Sequence, residues 1–402
     1  MTEVCFKLEI SIPKYVKTVL IKLSSRGYMA CLVGGCVRDM ALGVTPNDWD
    51  VATSALPEQV LEVFPDSLTM GLKHGTVTVK IGSRLVEVTT FRSDGDYADH
   101  RHPDSVRFVG DLTTDLSRRD FTINAMAIMH DGTVIDPFRG TEDIKKGIVR
   151  AVGKPAKRFE EDALRMFRAF RFSSRLGFGI EPDTLDAIRE NAPLAAALSA
   201  ERVRDEIEKI LLTDRPEQLY TVIDYGLLDA FLTGRLSRED ALRRIAGMPK
   251  KALPRWAAFC YVLAAGDCTE SVSALLKSLR LDGHTVVCCS ECCELLKSAP
   301  PEDIKGWKHM LSKYGVDTVS CASQCMDIFY GGGHEAMMKK VLKSGECFSV
   351  RHLAVNGNDL AALGLRGRQI GEMLDFLLDY VIDFPENNER GKLLSLASGS
   401  EE

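Results

Sequence analysis

The 402-residue sequence predicts an α+β protein, with a strand-and-helix head in front and helices alone behind it. Two observations carry that prediction. Segments of strand and helix character alternate through roughly the first 150 residues, whereas from about residue 180 onward the periodic stretches have helical spacing. The length leaves room for two to four domains with sizeable cores.

Composition narrows the function classes. Hydrophobic residues make up 45% and charged residues 27%, an ordinary globular balance. No apolar run approaches the roughly 20 residues of a membrane span. The start of the chain lacks the basic-then-apolar layout of a secretory leader. The 12 cysteines are unevenly spaced, which predicts reduced thiols in a cytoplasmic protein and not a disulfide framework. A net charge of −6 gives no global basic field, so any nucleic-acid surface has to be a local patch.

The elements follow in order. Residues 13–27 carry apolar side chains at helical spacing and end in Gly27, which reads as a helix. Tyr28–Val33 is a strand, followed by the Gly34-Gly35 turn, a short helix, and a second strand carrying Asp48 and Asp50. Pro57 stands in the first turn of a helix to about Phe64. Thr76–Ile81 and Arg84–Phe91 alternate as a hairpin around Gly82-Ser83. Residues 92–107, with Asp94, Asp96, Asp99, His100 and His102, predict a solvated loop and not a metal site, because charge and glycine dominate.

Residues 117–129 (SRRDFTINAMAIM) predict a helix capped by Asp120, with Arg118 and Arg119 at its positive end. Thr133–Pro137 is a short strand reached through a His130-Asp131 turn. Residues 157–176 predict one helix that buries Phe159, Leu164, Phe167, Phe170 and Leu176. Further helices are expected at 181–191, 200–212, 216–225 and 238–246. Lys154, Lys157, Arg158, Arg202 and Arg204 form a local basic group, diluted by acids, whose default is a solvated face. Cys288, Cys289, Cys292 and Cys293, like Cys321 and Cys325, pair at i, i+4 and predict buried small side chains, not a zinc site. Gly364 and Gly367 mark a turn between helices, flanked by Arg366 and Arg368.

The chemistry concentrates between Cys31 and Ala55 (CLVGGCVRDMALGVTPNDWDVATSA). Carboxylates at i and i+2 of a strand share a face. Two hard oxygen ligands there, Asp48 and Asp50, suit Mg²⁺, which keeps waters and shares its remaining positions with phosphates. Gly34 and Gly35 let backbone approach a bulky anion, and Arg38 can hold a phosphate bidentately. Together these residues read as a nucleoside triphosphate site. Asn124 can reach a sugar hydroxyl with its amide.

Asp162 and Arg165 add a selectivity argument. Cytosine and adenine both offer an amino donor beside a ring acceptor, while guanine and uracil present the reverse order. A carboxylate that accepts next to a guanidinium that donates therefore suits C and A and rejects G and U. Arg168 lies on the same side of the helix. Arg171, nine residues from Asp162, falls about half a turn away and is expected to touch a phosphate or lie to the side.

The run G-G-x-V-R-D with D-x-D resembles the nucleotidyltransferase superfamily that includes DNA polymerase β. R-R-D-F-T-I-N-A-M-A, D-P-F-R-G-T-E-D-I and E-D-A-L-R-M-F-R-A-F-R-F narrow the resemblance to the bacterial-type (class II) tRNA nucleotidyltransferases, the CCA-adding enzymes, and their poly(A) polymerase kin. The likeness is specific over residues 30–175 and in the tail, and weak over 235–350. It implies a polymerase β-like head with a mixed sheet, then all-helical parts: head 1–150, neck 151–212, body 213–350 and a tRNA-binding tail 351–402.

By position it implies that Asp48 and Asp50 hold Mg²⁺, with Glu87 as a third candidate carboxylate. Gly34, Gly35 and Arg38 would hold the triphosphate, Arg119 and Asn124 the phosphate and ribose. Asp162 and Arg165 would read the base, with Arg168 and Arg171 assisting. The family's loop at 92–107 helps the switch from C to A addition. The implied reaction adds CMP, CMP and AMP from CTP and ATP to the 3′ end of tRNA without a nucleic acid template, releasing pyrophosphate. Poly(A) synthesis and a silent RNA-binding scaffold are the alternatives. Trp49, between the aspartates, departs from the small β-branched residue expected there. The oligomeric state stays open between monomer and homodimer, as does a biosynthetic or a repair role.

Overall fold

The computed structural model describes residues 4–7, 11–69, 71–72, 75–94, 106–236, 239–269 and 271–399. The chain divides into two compact units. The first comprises residues 1–210 and 221–230, the second 211–220 and 231–402.

The first unit is built on a seven-stranded mixed sheet. Its strands are β1 (Val4–Lys7), β2 (Ala30–Val33), β3 (Asp50–Thr53), β4 (Thr76–Ile81), β5 (Arg84–Thr90) and, after the short pair β6 (Arg92–Asp94) and β7 (Val106–Phe108), β8 (Ala127–Met129) and β9 (Thr133–Asp136). The order is β1-β9-β8-β2-β3-β5-β4. Among the described residues of this sheet, only β3 and β5 pair in parallel, which sets Asp50 opposite Glu87. The hairpin β4–β5 closes at Ile81 and Arg84, as its alternation requires, with Val77, Val79, Val86 and Val88 turned into the core. The central strand β2 is buried along its length. Cys31, Val33, Ala52, Phe91, Leu112, Leu116 and Ala127 form one core cluster behind it.

Helices α1 (Lys14–Ser25), α2 (Gly35–Ala41), α3 (Pro57–Val63), α4 (Leu112–Ser117) and α5 (Gly140–Lys146) complete this part. Val16, Val19, Leu20 and Leu23 form the buried stripe of α1. Then come α6 (Pro155–Glu161), α7 (Leu164–Leu176), α8 (Pro182–Asn191) and α9 (Ala200–Leu211).

Four sequence expectations are corrected. Strand β3 starts at Asp50, so Asp48 sits in the exposed bend before it, after the turn-forming Pro46-Asn47. Trp49 is 8% exposed and packs inward between the two. The stretch after Asp120 is not an α-helix. Thr122–Asn124 make one 3₁₀ turn, closed by Asn124 N donating to Phe121 O and Ala125 N to Thr122 O, before the chain enters β8. Arg118 and Arg119 therefore lie at the C-terminal end of α4, not at a positive helix end. The helix expected over 157–176 breaks at Asp162, whose φ of −148° and ψ of 102° end α6. Finally, the ends of the loop expected at 92–107 pair as β6 and β7. The remainder, with Asp96, Asp99, His100 and His102, lies outside the described residues.

The second unit is helical. A helix at Ala252–Ala265 packs with Gly283–Leu295 and Ile304–Phe329. The clustered cysteines lie in these helices, buried and unpaired as expected from their spacing. Arg255 is fully buried and donates to the carbonyls of Leu211, Thr213, Ala246, Met248 and Pro249. Toward the end, Leu360, Leu377, Val381 and Leu393 form a separate small core. Gly364 and Gly367 turn the chain there with positive φ, and Arg366 and Arg368 beside them are exposed. Among the described residues, no helix is long and apolar enough to cross a membrane.

Candidate active site

A cavity of about 470 Å³ opens in the first unit. Ten of the residues singled out from the sequence line it: Gly34, Gly35, Arg38, Asp50, Arg119, Asn124, Asp162, Arg165, Arg168 and Arg171. Asp48 and Glu87 do not. Both are exposed and act on Asp50 from outside the cavity. Eight arginines and three aspartates line the wall. A chain of net charge −6 thus holds one concentrated positive pocket, where a polyanion would be drawn.

Gly34 precedes α2 with a φ of +75°, a conformation that suits glycine. A Cβ there would meet Arg119 Nη1 at 3.0 Å and Asp50 Oδ2 at 3.8 Å. The backbone of the turn therefore lies directly against both side chains. Burial, then Glu87 and Asp48, push the Asp50 carboxyl above its usual pKa, against the opposing pull of Arg119. Three carboxylates near one another, one of them half-buried, form a donor set that a divalent cation would relieve. Among the described residues, no three His, Cys, Asp or Glu side chains form a ready-made ion cage. A magnesium site needs none, because waters and substrate phosphates fill the remaining positions.

Polar side chains tie the far wall together. Arg38 Nη1 donates to Asn124 Oδ1 at 2.7 Å. Asn124 Nδ2 donates to Asp120 Oδ1 at 3.1 Å, and Arg168 Nε donates to Asp120 Oδ2 at 2.8 Å. Asp120 is thus a bridge and not a helix cap. Burial alone would raise its pKa, but Arg168, Asn124 and the Phe121 N–H outweigh it and hold it down at about 2. Arg118 and Arg119 both donate to the buried Asp115. Arg119 Nε is buried without a hydrogen-bond partner.

The helix break shapes the rest. Asp162 Oδ1 accepts from Leu164 N at 3.1 Å, which starts α7. Asp162 and Arg165 do not pair with each other. Arg165 donates to Glu161 at 2.6 Å and to the carbonyls of Arg158 and Arg118, while Asp162 accepts from Arg202. Arg171, expected to touch a phosphate or lie to the side, lines the same cavity and donates to Glu206 at 2.6 Å.

The sequence reading missed Phe172, whose ring is flanked by the guanidiniums of Arg171 at 4.2 Å, Arg38 at 5.2 Å and Arg168 at 5.5 Å. Its position four residues after Arg168 was the available signal. It also left Arg202 in a solvated basic group, whereas Arg202 faces the cavity. Lys154 and Lys157 are indeed exposed.

Comparison with known proteins bears on this geometry. Residues 30–150 match the family described as "Poly A polymerase head domain", and residues 177–234 match "Probable RNA and SrmB- binding site of polymerase A". The CCA-adding enzyme of Geobacillus stearothermophilus is 37% identical over 385 residues, covering 93% of this chain and 94% of that protein. That of Lacticaseibacillus paracasei is 36% identical over 400 residues, with 98% of each covered. The crystal structure of the Bacillus stearothermophilus CCA-adding enzyme in complex with CTP superimposes with a TM-score of 0.82 at 35% identity, over 96% of each chain.

Proposed function

This chain belongs to the family of CCA-adding enzymes, and from that premise we propose that it adds CMP, CMP and then AMP to the 3′ end of tRNA, using CTP and ATP and releasing pyrophosphate. The observation that carries the residue-level reading is the single cavity in which Gly34, Arg38 and Asp50 from one stretch face Asp162 and Arg165 from another. In this reading phosphate and metal contacts share one wall, and base contacts come from the other.

In this reading Gly34, Gly35 and Arg38 take the triphosphate, and Arg119 and Asn124 take phosphate and ribose. Asp48 and Asp50 hold magnesium, with Glu87 as a third carboxylate beside Asp50. Bound there, Mg²⁺ would supply charge neutralisation for the attacking 3′-hydroxyl and the departing pyrophosphate. The raised pKa of Asp50, set by burial and its carboxylate neighbours, supports the assignment. Asp162 accepts from the amino group shared by cytosine and adenine, and Arg165 donates to the ring nitrogen. Arg165 is already anchored by Glu161 and two carbonyls, so its plane is fixed before a nucleotide enters.

The division of labour follows the chain: head 1–150 for chemistry, neck 151–212 for base choice, a helical body 213–350, and tail 351–402 for tRNA. Cytoplasmic location fits the unpaired thiols. The test is incorporation with Mg²⁺ on a tRNA lacking its last three nucleotides. Two additions with CTP alone, and a stop at three with CTP and ATP, are expected. A long A tail with ATP alone would make the chain a poly(A) polymerase instead.

A further inference from the structure

Helix α9 supplies the wall behind the base-reading residues. Arg202 and Glu206 lie one turn apart on it. Glu206 is 3% exposed and anchors Arg171. Arg202 Nη2 donates to both oxygens of Asp162, at 2.9 Å to Oδ2 and 3.1 Å to Oδ1. Its side chain is 21% exposed and lines the cavity. Its Nη1 is buried and has no hydrogen-bond partner, unlike the donors of a guanidinium that only braces the fold.

The acceptor count gives this contact a consequence. A carboxylate has about four lone-pair sites. On Asp162, Oδ1 already accepts from Leu164 N and from Arg202, and Oδ2 accepts once from Arg202. The sites left open are few, and the Arg202 Nη2 contact to both oxygens fixes their direction. Without it, Leu164 N alone would hold the carboxylate, which could then turn about its own bond.

We propose that Arg202 is a specificity-determining positioning residue, which aims the Asp162 carboxylate at the amino group of cytosine or adenine and thereby sets the rejection of uracil and guanine. The proposal rests on the nucleotide-addition reading above. A uracil or guanine would bring a carbonyl oxygen to the same place, facing a fixed acceptor. Arg202 acts through Asp162 and does not itself need to touch the base.

The test compares kcat/KM for CTP and UTP on a tRNA lacking its CCA end, using the full-length chain, R202Q, R202K, D162N and the double variant R202Q/D162N. R202Q is expected to lower the CTP-to-UTP preference about tenfold, mainly through a higher KM for CTP, as loss of a charged hydrogen bond implies. R202K keeps the charge without the rigid guanidinium plane that aims Nη2, and should fall between R202Q and the wild type. In the D162N background, R202Q should change the preference no further, because its route of action is gone. A uniform drop in kcat/KM with the preference intact overturns the proposal, as do independent, multiplying effects of the two substitutions. Should R202Q fail to fold, R202K carries the test, and an unchanged preference in R202K is the overturning result. A wild-type chain that adds no CMP to this tRNA would refute the activity reading itself.

Discussion

Replacing Asp120 with asparagine probes the polar chain that joins the two walls of the cavity. Asp120 accepts from Asn124 on one oxygen and from Arg168 on the other, with Arg38 behind Asn124. Its pKa is held at about 2, against an ordinary 3.8. That depression corresponds to roughly 2–3 kcal/mol of stability at neutral pH. The folded-state value is depressed, so the contribution is fully present above the unfolded pKa. It is lost as pH falls from about 4 toward 2, and about half remains at pH 3. D120N should therefore lower the free energy of opening by about 2–3 kcal/mol at pH 7, and the gap to the wild type should shrink toward half that at pH 3. Native-state hydrogen exchange read in the peptide spanning residues 117–129 measures it, with intrinsic rates corrected for pH. Equal protection of the two chains at pH 7, or a gap that stays constant down to pH 3, would refute the reasoning.

Three further outcomes are expected. D50A should abolish nucleotide incorporation while leaving tRNA affinity within about twofold, because it removes the half-buried carboxylate proposed to hold the metal but none of the arginines; gel-shift and incorporation assays together decide it, and surviving incorporation sinks the metal assignment. G34A forces a φ of +75° and a ψ of −133° on alanine, at about 1–3 kcal/mol, and sets its Cβ 3.0 Å from Arg119 Nη1. The KM for CTP should rise about tenfold, and an unchanged KM would show that the turn does not hold the nucleotide. R255M leaves the carbonyls of Leu211, Thr213 and Met248 without their buried donor. It should destabilise the second unit by about 3 kcal/mol in urea unfolding followed by tryptophan fluorescence, and a loss below about 1 kcal/mol would count against the clamp.

The parts of the fold that were legible are those whose cause is local. Alternating valines gave the β4–β5 hairpin, and the stripe from Val16 to Leu23 gave α1. The glycine pair, Arg38 and Asp50 fall within one short stretch, so their convergence could be read directly. The failures have non-local causes. Asp162 looks like one more polar helix position until Arg202, forty residues on, and Leu164 N capture its oxygens. Thr122–Asn124 has the composition of a helix start, but the following residues are claimed by pairing with β2. The same holds for Asp120, whose role is set by Arg168 on a distant helix. Charge pattern shows which groups need partners, not which partners they choose.

The parallel β3–β5 pair and the reach of the cavity wall from Gly34 to Arg202 also constrain how this protein is made. The ribosome delivers Asp50 about 150 residues before Glu206, an interval of roughly 8–30 s at ordinary elongation rates. During that time the nascent head holds its carboxylates and the Gly34-Gly35 turn, while the wall behind Asp162 stays incomplete until α9 emerges. Under the proposed assignment, base selection is therefore acquired late in the synthesis of the first unit. A chain released early, for instance near residue 150, would carry Asp48, Asp50 and Glu87 without Asp162, Arg165 or Arg202.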